Sequence, residues 1–469
     1  MGGIFGITRK QDCVEDLFYG TDYLSHLGTK RGGLAVVGNT GFTSRVYFLE
    51  SSYFRTKLEP DLKDLQGNTG LGAISDTDSQ PLIFYSPHLG PFSLVTVGRI
   101  TNTEELIAEA GERRFTFNPS SEGKVRPTEI IAMLLGRENS FEDGIRIVHA
   151  RVKGSCSFII MTKKGLYGCR DHLGRTPLTL GRKDDGWVLS SESSALYNIG
   201  FEPVRDLGPG EAVFITPEGW ETRVAPGDKM QICSFLWVYY GYPSSTYEDV
   251  NVEDFRYRCG AALGAEDDVQ ADFVSGIPDS GIGHAVGYAN IRKLPYARPL
   301  VKYTPTWPRS FMPQSQPSRS LVAKMKLIPN RALIQDQRII FLDDSIVRGT
   351  QLKDNIQILY QYGAREVHVR IACPTLLYPC EFLNFSTSRS VLELMGRKAA
   401  LALEGKEGQN IERYANAADP KNAEMIEWLR CQLNLSSLKF QKMDNLVKAI
   451  GLPKEKLCTH CWDGSSWGD

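Results

Sequence analysis

Residues 338–364, RIIFLDDSIVRGTQLKDNIQILYQYGA, constrain the fold more than any other stretch of the chain. Ile339 to Leu342 form a short apolar run suited to a buried parallel strand. Leu352, Ile356 and Leu359 then repeat at helical spacing, and Gly363 stands where a helix C-cap is expected. Between strand and helix lies DDSIVRGT. A loop in that position turns backbone N–H groups and the helix N-terminus toward one point, which suits a phosphate, and Ser345, Gly349 and Thr350 are small enough to let it approach. Asp343 and Asp344, acceptors only when ionised, suit the vicinal hydroxyls of a ribose. Acidic caps at helix starts are common, but two adjacent acids, a serine and an Arg-Gly-Thr exit at a strand end form a more specific pattern.

The rest of the chain divides around this unit. Its 469 residues exceed what one hydrophobic core supports, so two domains are expected, spanning 1–228 and 229–469, with VAPGDKMQICSF (224–235) at the join. Before the join the text is short strand-like runs such as GLAVVG, FSLVTVGRI, CSFIIMTKKGLYGCRD and EAVFITPEG, cut by turn residues, which predicts a mainly antiparallel layered domain. After it, ADFVSGI, RIIFLDD and EVHVRIAC alternate with helical stretches, the pattern of a parallel sheet covered on both faces, and the tail from about 391 reads as helical. Within this half VSGIPDSGIGHAVGYA (274–289) is a second strand, glycine turn and helix, able to present N–H groups to a pyrophosphate.

Composition excludes more than it assigns. A formal net charge of −1 with 42% hydrophobic and 23% charged residues gives no electrostatic reason for nucleic-acid or membrane partners. No apolar stretch approaches the roughly 20 residues that span a bilayer, and MGGIFGITRK lacks the form of a secretion signal, so a cytoplasmic protein is expected. Cys13, Cys156, Cys169, Cys259, Cys373 and Cys431 stand singly and read as buried residues. Cys458 and Cys461, in LCTHCW, form a CxxC pair.

Taken together, the two strand–loop–helix segments and IFGI, GCRDHLGRTPLTLG, SSESSALYNIGFEPVRDLGPGEAV, MKLIPNR, AREVHVRIACP and YPC resemble the glutamine phosphoribosylpyrophosphate amidotransferases (amidophosphoribosyltransferases) over nearly the whole chain. The resemblance implies α+β and α/β halves: a four-layer αββα glutaminase-like domain of the N-terminal-nucleophile type, then a type I phosphoribosyltransferase domain with a parallel sheet. It implies a reaction of purine synthesis in which ammonia released from glutamine displaces pyrophosphate from C1 of phosphoribosyl pyrophosphate (PRPP).

Against that pattern the first half departs. The family's nucleophilic cysteine falls on Gly2, and its His-Asn-Gly-Asn oxyanion segment on Thr96, Val97, Gly98 and Arg99, of which only Gly98 is kept. The residues that hold the glutamine carboxylate and amino group fall near Ser75 and on Pro127. Loss of one oxyanion donor alone costs about 2.7–4 kcal/mol of transition-state stabilisation, so a retired glutaminase is expected, and Cys13 cannot also supply the terminal amine.

The second half departs less. Asp343, Asp344, Ser345, Val347, Arg348, Gly349 and Thr350, with Asp279, match PRPP-binding positions, and Ser280, Asp343 and Asp344 match those associated with Mg²⁺. Lys302 and Arg309 survive in KYTPTWPRSF, the family's closing loop, but an Asn, an Arg and a Tyr are replaced. A CxxC pair with two remote thiols suits zinc or an iron–sulfur cluster; the resemblance implies a [4Fe-4S] cluster on Cys233, Cys380, Cys458 and Cys461, with zinc the alternative. It also implies PRPP and purine nucleotides as ligands and a homo-oligomer, often a tetramer. Two functions stay open: an ammonia-dependent amidophosphoribosyltransferase, or a non-catalytic PRPP- or nucleotide-binding regulatory paralogue. A base-accepting salvage transferase would leave the first domain and the cysteines unexplained.

Overall fold

The computed structural model describes residues 2–39, 41–50, 52–112, 117, 123–303, 327–383 and 390–465. Arg309, with most of KYTPTWPRSF, lies outside the described residues.

Two stacked sheets organise the first half. One has seven strands in the order Glu202–Asp206, Thr179–Lys183, Gly186–Ser190, Gly2–Arg9, Thr69–Ser75, Arg31–Gly38 and Gly41–Phe48. The other has six, in the order Gly219–Val224, Ala212–Thr216, Gly165–Cys169, Gly154–Thr162, Gly90–Ile100 and Leu82–Ser86. Side-chain alternation explains the layering. On the first strand Ile4 points into a core between the sheets with Ala73, Val95, Ile159 and Val213. Phe5 and Ile7 face the other way, onto Leu17 and Phe18 of the helix Val14–Asp22. Ile130, Leu134 and Val148 of the helices Pro127–Gly136 and Phe141–Arg151 cover the outer face of the second sheet. The layers are therefore αββα, and the apolar N-terminus is a central strand, paired with Thr69–Ser75 on one side and Gly186–Ser190 on the other.

In the second half four strands, Phe273–Gly276, Arg338–Asp343, Glu366–Ile371 and Ser437–Phe440, form an all-parallel sheet in that order. Its apolar residues divide between two cores, Ile339, Phe341 and Val369 on one face and Val274, Ile340 and Leu342 on the other. That is why these strands read as unbroken apolar runs. A two-residue parallel pairing, Ile232 with Leu457 and Cys233 with Cys458, fastens the chain end to the segment that follows the first domain. Five of the six single cysteines are buried, but Cys431 is exposed. It lies near the end of the helix Pro420–Gln432, which buries only Met425 and Leu429, and its side chain sits on the solvated face beside Glu427 and Arg430.

Arg370, without exposed surface, enters the parallel sheet as a charge and is answered by buried Asp267. The Asp267 carboxylate accepts from Arg370 Nε and Nη2, from Tyr288 Oη at 2.6 Å and from Lys439 Nζ at 3.0 Å. Burial alone would raise its pKa, but the bonds from Arg370, Tyr288 and Lys439 outweigh burial and hold it well below the usual carboxylate range. Asp267→Ala leaves a buried guanidinium unpaired and is expected to cost about 3–5 kcal/mol in chemical unfolding. Because the folded-state pKa is depressed, the contribution of Asp267 is present above the unfolded carboxylate pKa, near about 3.9, and is lost as pH falls below it. The stability difference between wild type and variant should therefore shrink on acidification.

Candidate functional site

The two loops singled out in the sequence meet at the carboxyl ends of neighbouring parallel strands. Ile277 N–H donates to Leu342 O at 2.8 Å, which draws the Pro278–Gly281 turn onto the end of the strand Arg338–Asp343. Gly281 is required there, because a Cβ on it would lie 2.1 Å from Leu342 O. Ser280 Oγ then donates to Asp343 Oδ1 at 3.3 Å. Asp343 Oδ1 also accepts from Asp344 N–H at 3.0 Å, and Ser345 Oγ donates to Asp344 Oδ2 at 2.6 Å. Burial and the neighbouring Asp344 carboxylate push the Asp343 carboxyl well above its usual range. Two acids held this closely suit either a cation or the hydroxyl donors of a sugar.

The loop closes on Gly349, which caps the helix Thr350–Gln361 at φ +74°, a left-handed conformation that excludes most side chains. Beneath it Met395 N–H donates to Val347 O at 2.7 Å, so the helix Met395–Glu404 braces the loop from behind. Arg348 turns outward and pairs with Glu393 at 2.6 Å. Across the mouth, Lys302 pairs with Asp279. Asp343, Asp344, Ser345 and Ser280 thus form one cluster, while Arg348 is engaged with an acid 45 residues away. Glu393 and Met395 carried no sequence signal, since both come from the helical tail.

Gly2, Val97, Gly98, Glu192, Tyr240 and Leu383 line a second cavity, over the start of the first strand. No thiol lines it. A Cβ on Gly2 would stand 2.4 Å from Ile74 O, so the backbone leaves no room for a cysteine side chain. Cys13 packs elsewhere, outside the first sheet, and burial, with Asp12 nearby, pushes its thiol far up. The neighbouring polar groups bond one another, with Asp78 Oδ1 left unpaired among the described residues. Gln80 bonds the Thr96 backbone through both amide atoms, at 2.8 and 2.7 Å, and Thr96 Oγ1 lies 2.9 Å from Thr128 Oγ1. Thr128 donates from Oγ1 and from N–H to Asp78, at 2.5 and 3.0 Å, while Ser75 Oγ accepts from Asp78 N–H at 3.0 Å. Arg99 reaches out of the domain to Cys380 O at 3.1 Å.

With this geometry in view, the likeness to known proteins is informative. Residues 72–198 match the glutamine amidotransferase domain family. The chain is 30% identical to the amidophosphoribosyltransferase of Methanothermobacter thermautotrophicus, over 98% of its own length and 93% of that protein's. The chain belongs to the amidophosphoribosyltransferase family. It is 33% identical to the Synechocystis amidophosphoribosyltransferase, over 98% and 90% of the two chains. The structure of the Bacillus subtilis PRPP amidotransferase complexed with ADP and GMP superposes with a TM-score of 0.85 at 27% identity, covering 99% of this chain and 96% of that one. The αββα half and the parallel-sheet half are those of an amidophosphoribosyltransferase.

A third cavity lies where the two halves meet, and Cys233, Cys380, Cys458 and Cys461 all line it, with Phe382, Trp462 and Arg175. The structure brings together all four cysteines that the family resemblance selects, from positions 233 to 461 of the chain, and Cys233 and Cys458 are register partners. Cys461 O accepts from Leu377 and Tyr378 N–H, at 3.0 and 3.1 Å, which anchors the CxxC turn beside the Cys380 loop. Cys380 is buried and Cys233, Cys458 and Cys461 are half-buried, and four thiols lining one cavity fit a thiolate-bound metal group. Among the described residues no three His, Cys, Asp or Glu side chains gather on one point as a single ion requires.

Gly349→Ala forces a side chain into the left-handed region and, at 2.7 Å, against Met395 Sδ. A loss of about 1–2 kcal/mol is expected in urea unfolding, whereas Gly219→Ala, whose methyl meets nothing within 4 Å, should change stability by less than about 0.5 kcal/mol.

Proposed function

We propose that this member of the family is an amidophosphoribosyltransferase of purine nucleotide synthesis that works from ammonia and no longer hydrolyses glutamine. The observation that carries the reading is the Ser280–Asp343–Asp344–Ser345 cluster at the strand ends, while in the first half a glycine stands at the nucleophile position and Thr96 is bonded to Gln80 and Thr128. Asp343 and Asp344 would accept from the ribose hydroxyls, while N–H groups of the 345–350 loop hold the 5′-phosphate at the helix start. Asp279 and Lys302 flank the place for pyrophosphate. Ser280, Asp343 and Asp344 would hold Mg²⁺, which supplies neutralisation of the departing pyrophosphate. The ammonia lone pair forms the bond to C1, the C1–O bond breaks, pyrophosphate leaves with the electron pair and one proton is released.

The four thiols that line this cavity are those the family resemblance assigns to a structural [4Fe-4S] cluster, with zinc the alternative. Among the described residues no helix is long and apolar enough to cross a membrane, which accords with a cytoplasmic enzyme. The B. subtilis relative was solved with ADP and GMP, and purine nucleotides are the ligands we would expect to regulate this chain.

One feature favours a second reading. The closing-loop segment 302–311 has exchanged an Asn, an Arg and a Tyr and gained two prolines, changes that suit a protein that binds PRPP and does not turn it over. Pyrophosphate release from PRPP separates the two: release with ammonium chloride and none with glutamine is expected. Tight PRPP binding without release would favour the regulatory paralogue, and glutamine-dependent release would overturn the retired glutaminase.

Two variants sharpen the test. Asp344→Asn should weaken PRPP binding at least about tenfold, ~1.4 kcal/mol, in calorimetry. Gly2→Cys should yield no glutamate from glutamine, since the new side chain has no space and its oxyanion donor is still missing.

A further inference from the structure

Among the described residues three arginines have no exposed surface: Arg170, Arg175 and Arg370. Two have an obvious counter-charge. Arg370 is paired with Asp267, and Arg170 with Glu248 at 2.6 Å. Arg175 has none; among the described residues no carboxylate lies within ion-pair distance of its guanidinium. Nη1 donates to Gly154 O at 2.7 Å and Nη2 to Gln231 Oε1 at 3.4 Å, both neutral, while Nε–H has no acceptor at all. Isolated burial of a guanidinium costs several kcal/mol, so an uncompensated one calls for an anion that arrives later.

The surroundings name it. Arg175 lines the four-cysteine cavity, with its guanidinium 3.7 Å from the centroid of Phe382, two residues from Cys380. Its own carbonyl accepts from Cys233 N–H at 3.2 Å. Four thiolates bound to a cluster or to zinc leave net negative charge whichever metal is held.

We propose that Arg175 is a positioning residue of this metal site, the buried cation that balances the thiolate-bound group and donates to it from Nε. This rests on the reading of the four cysteines as a metal site. The cation comes from the glutaminase-like half while Cys380, Cys458 and Cys461 come from the other, so the retired domain completes the site. A fixed positive charge beside a cluster favours its more negative, reduced form and raises its potential.

The test uses the full-length protein, reconstituted anaerobically with iron and sulfide, as wild type, Arg175→Gln and Arg175→Lys. Arg175→Gln should lose its metal to a chelator about tenfold faster than wild type, and its reduction potential should move to more negative values. Arg175→Lys, which keeps the charge, should restore most of both. For a zinc-loaded protein the chelator rate serves alone. Unchanged rate and potential in Arg175→Gln would sink the proposal. So would equal losses in both variants accompanied by an equal fall in the unfolding temperature of the metal-free protein, the mark of packing alone. Wild type that binds neither iron nor zinc would instead remove the metal reading itself, which separates the two failures.

Discussion

The close approach of two backbones at the carboxyl ends of parallel strands is the constraint on which the transferase half depends. Leu342 O takes a hydrogen bond from Ile277 and leaves no space for any side chain on Gly281. Only then can the Pro278–Gly281 turn lie against the acidic loop and Ser280 reach Asp343. The sheet supplies the rigidity. With Ile339 and Phe341 in one core and Ile340 and Leu342 in the other, a slip of one residue would exchange every apolar side chain between faces, so the register that sets Asp343 at the strand end is strongly fixed. Ligands gather at such strand ends in open parallel sheets because helix N-termini and loops converge there.

How much of this could be read from the sequence depended on whether the determining residues were neighbours in the chain. Ile339–Leu342, DDSIVRGT and the repeat Leu352, Ile356, Leu359 form one continuous stretch, and strand, loop and helix fall where local pattern puts them. The apolar start was legible as something buried, and the structure supplies the reason, pairing on both edges of Gly2–Arg9. Glu393 and Met395, which hold the loop from outside, belong to a helical tail with no local mark of that role. Cys431 went astray because a lone cysteine is buried on average, whereas its position on the helix Pro420–Gln432 decides the matter. The convergence of Cys233, Cys380, Cys458 and Cys461 needed the family resemblance, since their spacing alone allows zinc or a cluster and does not bring Arg175 to mind.

On the proposed reading, what would hold the first domain in place without glutamine hydrolysis? Its interface with the transferase half is polar and buried, and such interfaces are hard to dismantle one residue at a time. Glu192, almost without exposure, accepts from Tyr242 N–H at 3.1 Å, Tyr247 Oη at 2.7 Å and Ser245 Oγ at 3.3 Å, all beyond the join, and lies 3.0 Å from His26 Nε2 on its own side. Burial works against its ionised form, but His26 and these donors keep its pKa below the usual value. Arg170 crosses to Glu248, and Arg99 crosses to Cys380 O. Removing Glu248 would leave the fully buried Arg170 guanidinium without its counter-charge, a loss of about 3–5 kcal/mol. On that reading, selection on stability alone would hold the first domain in place, because Glu192, Arg170 and Arg99 all bond across the join.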